Sequence, residues 1–170
     1  MVITGGASGI GLALAREFLD IGARVAICDL DDAQTRRVSD ELGCLGIGAD
    51  VTREDAVRGL VALVEKRLGP IDIYVSNAGI YIPQPDHAAS ASDAVWMGNW
   101  SVHVMAHVYA ARALLPGMIS RGSGCFVSVA SAAGLLNQVG NAAYSATKHA
   151  AVSFAESLAI EHKDDGIEIS

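Results

Sequence analysis

A single stretch near the start of the chain restricts its fold more than any other. The apolar residues Met1-Val2-Ile3 run straight into Thr4-Gly5-Gly6-Ala7-Ser8-Gly9-Ile10-Gly11, and a helix-like pattern follows with Ile10, Leu14, Phe18 and Ile21 on one face. Glycines at this density let the backbone turn tightly between a strand and a helix and come close to a bound group. The start of the helix then offers free N–H groups and the positive end of its dipole to an anion. The spacing is G-x-x-x-G-x-G, which is neither G-x-G-x-x-G nor a Walker A loop, since no Gly-Lys-Ser/Thr ending is present. A glycine turn by itself is only a tight corner. With a strand before it and an amphipathic helix after it, it reads as a phosphate-binding loop.

Beyond the loop, short apolar runs alternate with helix-length segments. Gly22 closes the first helix, and 24–29 is a nearly all-apolar strand, as expected where both faces of a sheet are covered. A second helix is expected over 31–42, with Asp31 as N-cap and Gln34 following it, and a third strand over 45–49. A third helix is expected over 52–68, with Thr52 as cap and Asp55 near N3, and a fourth strand over 71–76. Residues 78–92, with Pro83 and Pro85, read as a loop, and 93–120 as a long helical region. A turn at 121–124, a fifth strand at 125–129, a Gly-bearing loop and a helix over 142–162 follow, and 167–169 begins a sixth strand. This alternation predicts an α/β fold: a doubly wound parallel sheet, ending at the start of its sixth strand, in a single domain over 1–170.

Composition narrows the function. The chain is 51% hydrophobic and 18% charged, too apolar for disorder. Its formal charge of −7 argues against a nucleic-acid or anionic-membrane partner, and no apolar run reaches membrane-span length. The start does not read as a signal peptide, and three cysteines are too few and too odd for a disulfide scaffold. A reducing cytoplasm is the expected location, with Cys28 and Cys125 as small core residues.

Asp29 closes the second strand, 18 residues after Gly11. A carboxylate there accepts both ribose hydroxyls of NAD and repels the 2′-phosphate of NADP. No Lys or Arg lies in the glycine loop or directly after Asp29, so NAD is the expected cofactor. The same carboxylate can also cap its turn.

Taken together, these strings resemble the short-chain dehydrogenase/reductase family over 1–170. The segment from Thr4 to Gly11 is similar to that family's TGxxxGxG loop, in which Thr4, Gly5, Ser8, Gly9, Ile10 and Gly11 serve the cofactor. Asp50-Val51 resembles the pair placed against the adenine, and Asn77-Ala78-Gly79 the NAG motif that ends the fourth strand. Tyr144-Ser145-Ala146-Thr147-Lys148 is similar to the YxxxK signature, with Ser131 lying 13 residues before the tyrosine. The resemblance implies a Rossmann-like NAD-binding domain that moves hydride between a small secondary alcohol or ketone and nicotinamide. It also implies a homo-oligomer through the helices near 93–120 and 142–162, whose alanines (Ala106, Ala110, Ala113; Ala151, Ala155, Ala159) suit such a contact. Family members continue past the sixth strand with a substrate-covering region, so the chain reads as shortened and lacking that lid.

The chemistry follows from residue types. A phenol is a poor base at neutral pH, and a neighbouring ammonium favours its ionised form. Tyr144 and Lys148 are four apart on one expected helix and share a face. Tyr144 is thus the expected acid/base, Ser131 the donor to the reacting oxygen, and Lys148, by the resemblance, also the holder of the nicotinamide ribose. His103 stands 13 residues before Pro116, the proline taken to end the long helix, where the family has an asparagine that completes a proton relay. Histidine there either carries the relay with a different pH dependence or disturbs the site. His103 and His107 are also i,i+4, but no glutamate sits between them as in H-E-x-x-H and no third ligand is evident, so no metal is expected. His149 reads as packing or surface and His162 as serving a helix dipole. Trp96 and Trp100 read as a packed pair, while Ile80, Tyr81, Ala132 and Gln138, on loops past strand ends, are candidates for substrate contact.

Two other readings compete with a dehydrogenase: a non-catalytic NAD-binding or subunit-interaction module, and a nucleotide-sugar epimerase or dehydratase sharing the fold and YxxxK. The NAG motif and the Ser131–Tyr144 spacing disfavour the latter.

Overall fold

The computed structural model describes residues 1–83 and 86–170. Residues 84 and 85, and with them Pro85 of the expected loop, lie outside the described residues. Strands β1 (Val2–Thr4), β2 (Ala26–Asp29), β3 (Leu45–Gly48), β4 (Ile73–Ser76), β5 (Gly124–Ser128) and β6 (Ile167–Ile169) form one sheet in the order β3-β2-β1-β4-β5-β6. Every pairing is parallel. The order reverses between β1 and β4, which opens a crevice beyond their C-terminal ends, where sheets of this kind bind ligands.

Alternate residues along each strand feed two cores. Val2, Ala26, Cys28, Tyr74 and Phe126 face α3 (Glu54–Leu68), α5 (Ala106–Arg121) and α6 (Ala142–Glu161). Ile3, Ile27 and Val75 face α1 (Gly9–Asp20) and α2 (Asp32–Leu42). The Tyr74 and Phe126 rings stack across neighbouring strands, 5.6 Å between centroids. Both faces are covered, as the apolar strands predict.

Several local expectations are corrected. On α1, Gly11 and Ala15 are the buried residues, with Leu14 and Phe18 partly buried, whereas Ile10 and Ile21 are 63% and 77% exposed. The helix meets the sheet through its small residues, which rotates the buried stripe away from Ile10. At α3 the N-cap is Arg53, because the Thr52 hydroxyl donates instead to Asp50 Oδ1 (2.7 Å). Asp31 does cap α2, accepting from the Gln34 N–H (3.0 Å), but the Gln34 side chain reaches the Ala7 carbonyl (3.1 Å) rather than returning to the cap. The long helical region is α4 (Asp93–Trp100), a π-helical segment (Ser101–Met105) and α5 in succession. Pro116 lies inside α5 instead of ending it; Gly122, with φ of 62°, caps the helix.

Ala106, Ala110 and Ala151 are buried within the chain itself, so these three do not form an outer face. Trp100, expected to pack, is exposed along with Met97 and Ile160. His162 pairs with Asp165 (2.8 Å) just beyond α6, and His149 donates to the Ser145 carbonyl (2.9 Å) one turn back. Cys28 is buried, and burial pushes its thiol up to about 12; Cys125 is half-buried. No helix among the described residues is long and apolar enough to cross a membrane.

Candidate active site

The glycine loop is shaped by close contact. Gly5 (φ 63°) and Gly9 (φ 51°) take left-handed backbone angles that favour glycine. A Cβ on Gly11 would strike the Gly5 carbonyl and lie 2.7 Å from the Asn77 amide nitrogen, so α1 begins pressed against the loop. Ser8, at the N-cap, makes no side-chain cap bond, and its hydroxyl stays at the mouth of the helix N-terminus.

Thr4 and Asn77 lock the loop to β4. The Thr4 hydroxyl accepts from the Asn77 and Ala78 N–H groups (3.0 and 3.1 Å), while the Asn77 amide donates to the Thr4 and Gly5 carbonyls (2.8 and 3.3 Å). Thr4 is buried and acts as a brace. At the end of β2, Asp29 accepts from Ala7 N–H (3.1 Å) and Leu30 N–H (2.8 Å). Asp50 accepts from the Thr52 N–H (2.9 Å). Both Asp29 oxygens keep a lone pair for a further donor, and Asp50 keeps its Oδ2.

At the other end of the crevice, α6 presents Tyr144 and Lys148. The Asn141 side chain caps α6 by accepting from the Tyr144 N–H (3.2 Å), which fixes the turn that carries the phenol. Lys148 is 4% exposed and donates to the Val129 carbonyl (2.9 Å). Burial draws its ammonium below the usual lysine range. Its Nζ lies 5.8 Å from the centre of the Tyr144 ring. Ser131 caps a short 3-10 turn (Ala132–Gly134) by accepting from Ala133 N–H (3.1 Å), which leaves its own proton available.

His103 lies in the π-helical segment and is fully buried. Its Nε2 accepts from the Ile80 N–H (3.1 Å), so the neutral ring carries its proton on Nδ1 and donates to Thr147 Oγ1 (3.0 Å). Thr147 donates in turn to the Ala143 carbonyl (2.9 Å). The ring stands edge-on to Tyr144, 5.2 Å between centroids. Burial first, and then the Lys148 charge, pull His103 down to about 4. Both ring nitrogens are engaged, one holding the loop after β4, and the ring packs against the phenol. His107 turns elsewhere, its Nδ1 to Ser128 Oγ (3.2 Å), and no cluster of three or more metal-ligating side chains occurs among the described residues.

One continuous cleft of about 530 Å³ runs from Ser8, Asp29 and Asp50 to Gly79, Tyr144 and Lys148. Gly5, Gly9, Ile10, Val51, Asn77 and Ala78 also line it. Thr4, Gly11, Ser131 and His103 do not; Thr4, Gly11 and His103 set the positions of residues that do, and Ser131 follows the lining residue Ala130 directly. The sequence did not single out Leu30, Val102, Ala130 or Thr147. Leu30 carried a readable signal, an apolar residue directly after the strand-end carboxylate, but Thr147 acquires its part only through His103.

A family model described as short chain dehydrogenase matches residues 1–170. The 2-(S)-hydroxypropyl-CoM dehydrogenase 3 of Xanthobacter autotrophicus is 35% identical over 175 residues, covering 100% of this chain and 68% of that protein. The L-fucose dehydrogenase of Bos taurus is 32% identical, covering 100% and 63%. Among solved structures, a short-chain dehydrogenase from Streptomyces avermitilis superposes with a TM-score of 0.89 at 30% identity, covering 98% of this chain and 61% of that one. The chain is therefore shorter than these relatives, spanning 61% to 68% of their lengths.

Proposed function

This chain belongs to the short-chain dehydrogenase family, and from that premise we propose that it is an NAD-dependent oxidoreductase acting on a small secondary alcohol or ketone, with Tyr144 as acid/base. The observation that supports this most is one cleft with a glycine cradle and a strand-end carboxylate at one end and the Tyr144–Lys148 pair at the other.

The residues fit such a cofactor. The Gly5–Gly9 turn and the α1 N-terminus would take the pyrophosphate, Asp29 the adenosine ribose, Asp50 and Val51 the adenine, and Asn77-Ala78-Gly79 and Lys148 the nicotinamide half. The Asp29 carboxylate favours NAD, since a 2′-phosphate beside it would be repelled. When bound, the nicotinamide accepts hydride in alcohol oxidation and donates it in carbonyl reduction. Tyr144 Oη takes the alcohol proton as the C–H bond breaks, or returns it to the carbonyl oxygen. The Lys148 ammonium, pinned by Val129, favours the phenolate needed for proton removal. Ser131 donates its free proton to the same oxygen and stabilises charge developing there.

Residues 1–170 act in this reading as one NAD-binding domain of a cytoplasmic homo-oligomer. The exposed Met97, Trp100 and Ile160 on α4 and α6 are the candidate subunit contacts in place of the buried alanines.

Two measurements test the reading. NADH should bind, followed by its fluorescence, and Tyr144→Phe should lower turnover of secondary alcohols by about 10²-fold or more while leaving NADH affinity within about twofold. Unchanged turnover in Tyr144→Phe removes the tyrosine from its role. Binding without turnover in the wild type returns the chain to a cofactor-binding module.

A further inference from the structure

The substrate end of the cleft has a wall of its own. Tyr81, on the loop after β4, lines the cleft, is 53% exposed and stands edge-on to Tyr144, with ring centroids 5.5 Å apart at 75°. Its position is set by a second loop: the Gln138 side chain donates to the Tyr81 phenol oxygen (2.9 Å). Gln138 is itself fixed, because its backbone N–H donates to Ser145 Oγ (3.0 Å), one residue past Tyr144 on α6. The two loops are thus clasped over the reacting tyrosine, and the clasp sets an aromatic ring beside it.

The chemistry around the clasp is uncharged. Residues 77–83 and 130–147 contain no Asp, Glu, Lys or Arg. Lys148 is committed to the Val129 carbonyl. Asp86, with His87, Trp96 and His149, lines a separate cavity of about 640 Å³, of which Gln138 also forms part. The same two loops expose Ile82, Leu135, Leu136 and Val139, the last at 99%. A carboxylate, sulfonate or phosphate brought here would lose water and gain no counter-charge, whereas a flat apolar group would gain ring contact and buried area.

We infer that Tyr81, held by Gln138, is the specificity-determining residue of this site, and that its substrate is an uncharged secondary alcohol or ketone bearing a ring-sized apolar group beside the reacting carbon. The inference rests on the dehydrogenase reading for the position of the reacting carbon. It goes beyond that reading in naming the substrate class and the residue that selects it.

Reduction of acetophenone, acetone and acetoacetate by NADH tests it. The kcat/KM for acetophenone should exceed that for acetoacetate by about 10²-fold, since the site offers the carboxylate no partner. Tyr81→Ala should compress the acetophenone-to-acetone ratio of kcat/KM by about tenfold, mainly through KM, and Gln138→Met should shift it in the same direction by less. Acetoacetate matching acetophenone, or a ratio unmoved in Tyr81→Ala, overturns the inference. If no carbonyl turns over, the dehydrogenase reading fails separately, and binding of acetophenone to the NADH-loaded protein, followed by ligand-detected NMR, takes over. Binding weakened about tenfold by Tyr81→Ala then supports the selectivity role, and no binding overturns it.

Discussion

His103 is neutral in the fold because it is buried near the Lys148 ammonium and because its Nε2 lone pair is already used by the Ile80 N–H. His107 is held down to about 4 in the same way, with burial as the larger cause. The unfolded chain takes up protons on both rings below pH 6.5, but the folded chain refuses them until about pH 4. Stability therefore falls as pH drops through that window and levels off below it. At about 1.4 kcal/mol per pH unit the loss approaches about 3 kcal/mol for each ring. Urea unfolding at pH 7, 5.5 and 4.5 checks this: His103→Asn should lose about half as much stability over the range as wild type. A variant with the wild-type slope would separate His103 from the effect. Tyr144 and Lys148 were legible in the sequence because one helical turn relates them. The role of His103 was not, because its partners Ile80 and Thr147 lie 23 and 44 residues away and only the fold brings them together.

At the scale of elements, two helical glycines with opposite surroundings make a paired test. Gly11→Ala puts a methyl group onto the Gly5 carbonyl and the Asn77 amide, so it should lower NADH affinity by about tenfold or more and reduce the melting temperature. Gly59, inside α3, meets nothing within 4 Å, and Gly59→Ala should raise stability by about 0.5–1 kcal/mol through helix propensity. Thermal unfolding of both, with NADH titration of the first, reads the contrast. The six strands were accessible from the alternation of apolar runs and helices, and 167–169 forms a strand as expected. The face of α1 was not, because hydrophobicity alone favours Ile10, whereas the sheet accepts the helix only where Gly11 and Ala15 let it approach. The π-helical segment left no sequence signal either; it lies between α4 and α5 and packs, like α4, against α6.

For the whole molecule, ligand linkage is the relevant quantity. If the cleft holds NADH, a free concentration about 100 times Kd should stabilise the fold by about 2.7 kcal/mol, read as a concentration-dependent rise in melting temperature. A melting temperature independent of NADH would mean that the folded chain does not take it up. The Thr4–Asn77 brace carries a consequence for how this molecule assembles. Its hydrogen bonds join residues 72 to 74 positions apart, so the glycine turn cannot take its final shape while β1 and α1 stand alone. Closing so long a loop is slow and comes after local helices have formed. Cofactor competence should accordingly arrive late in folding, when β4 docks beside β1. In a stopped-flow refolding experiment, recovery of NADH binding should lag the recovery of helical signal and coincide with completion of the sheet.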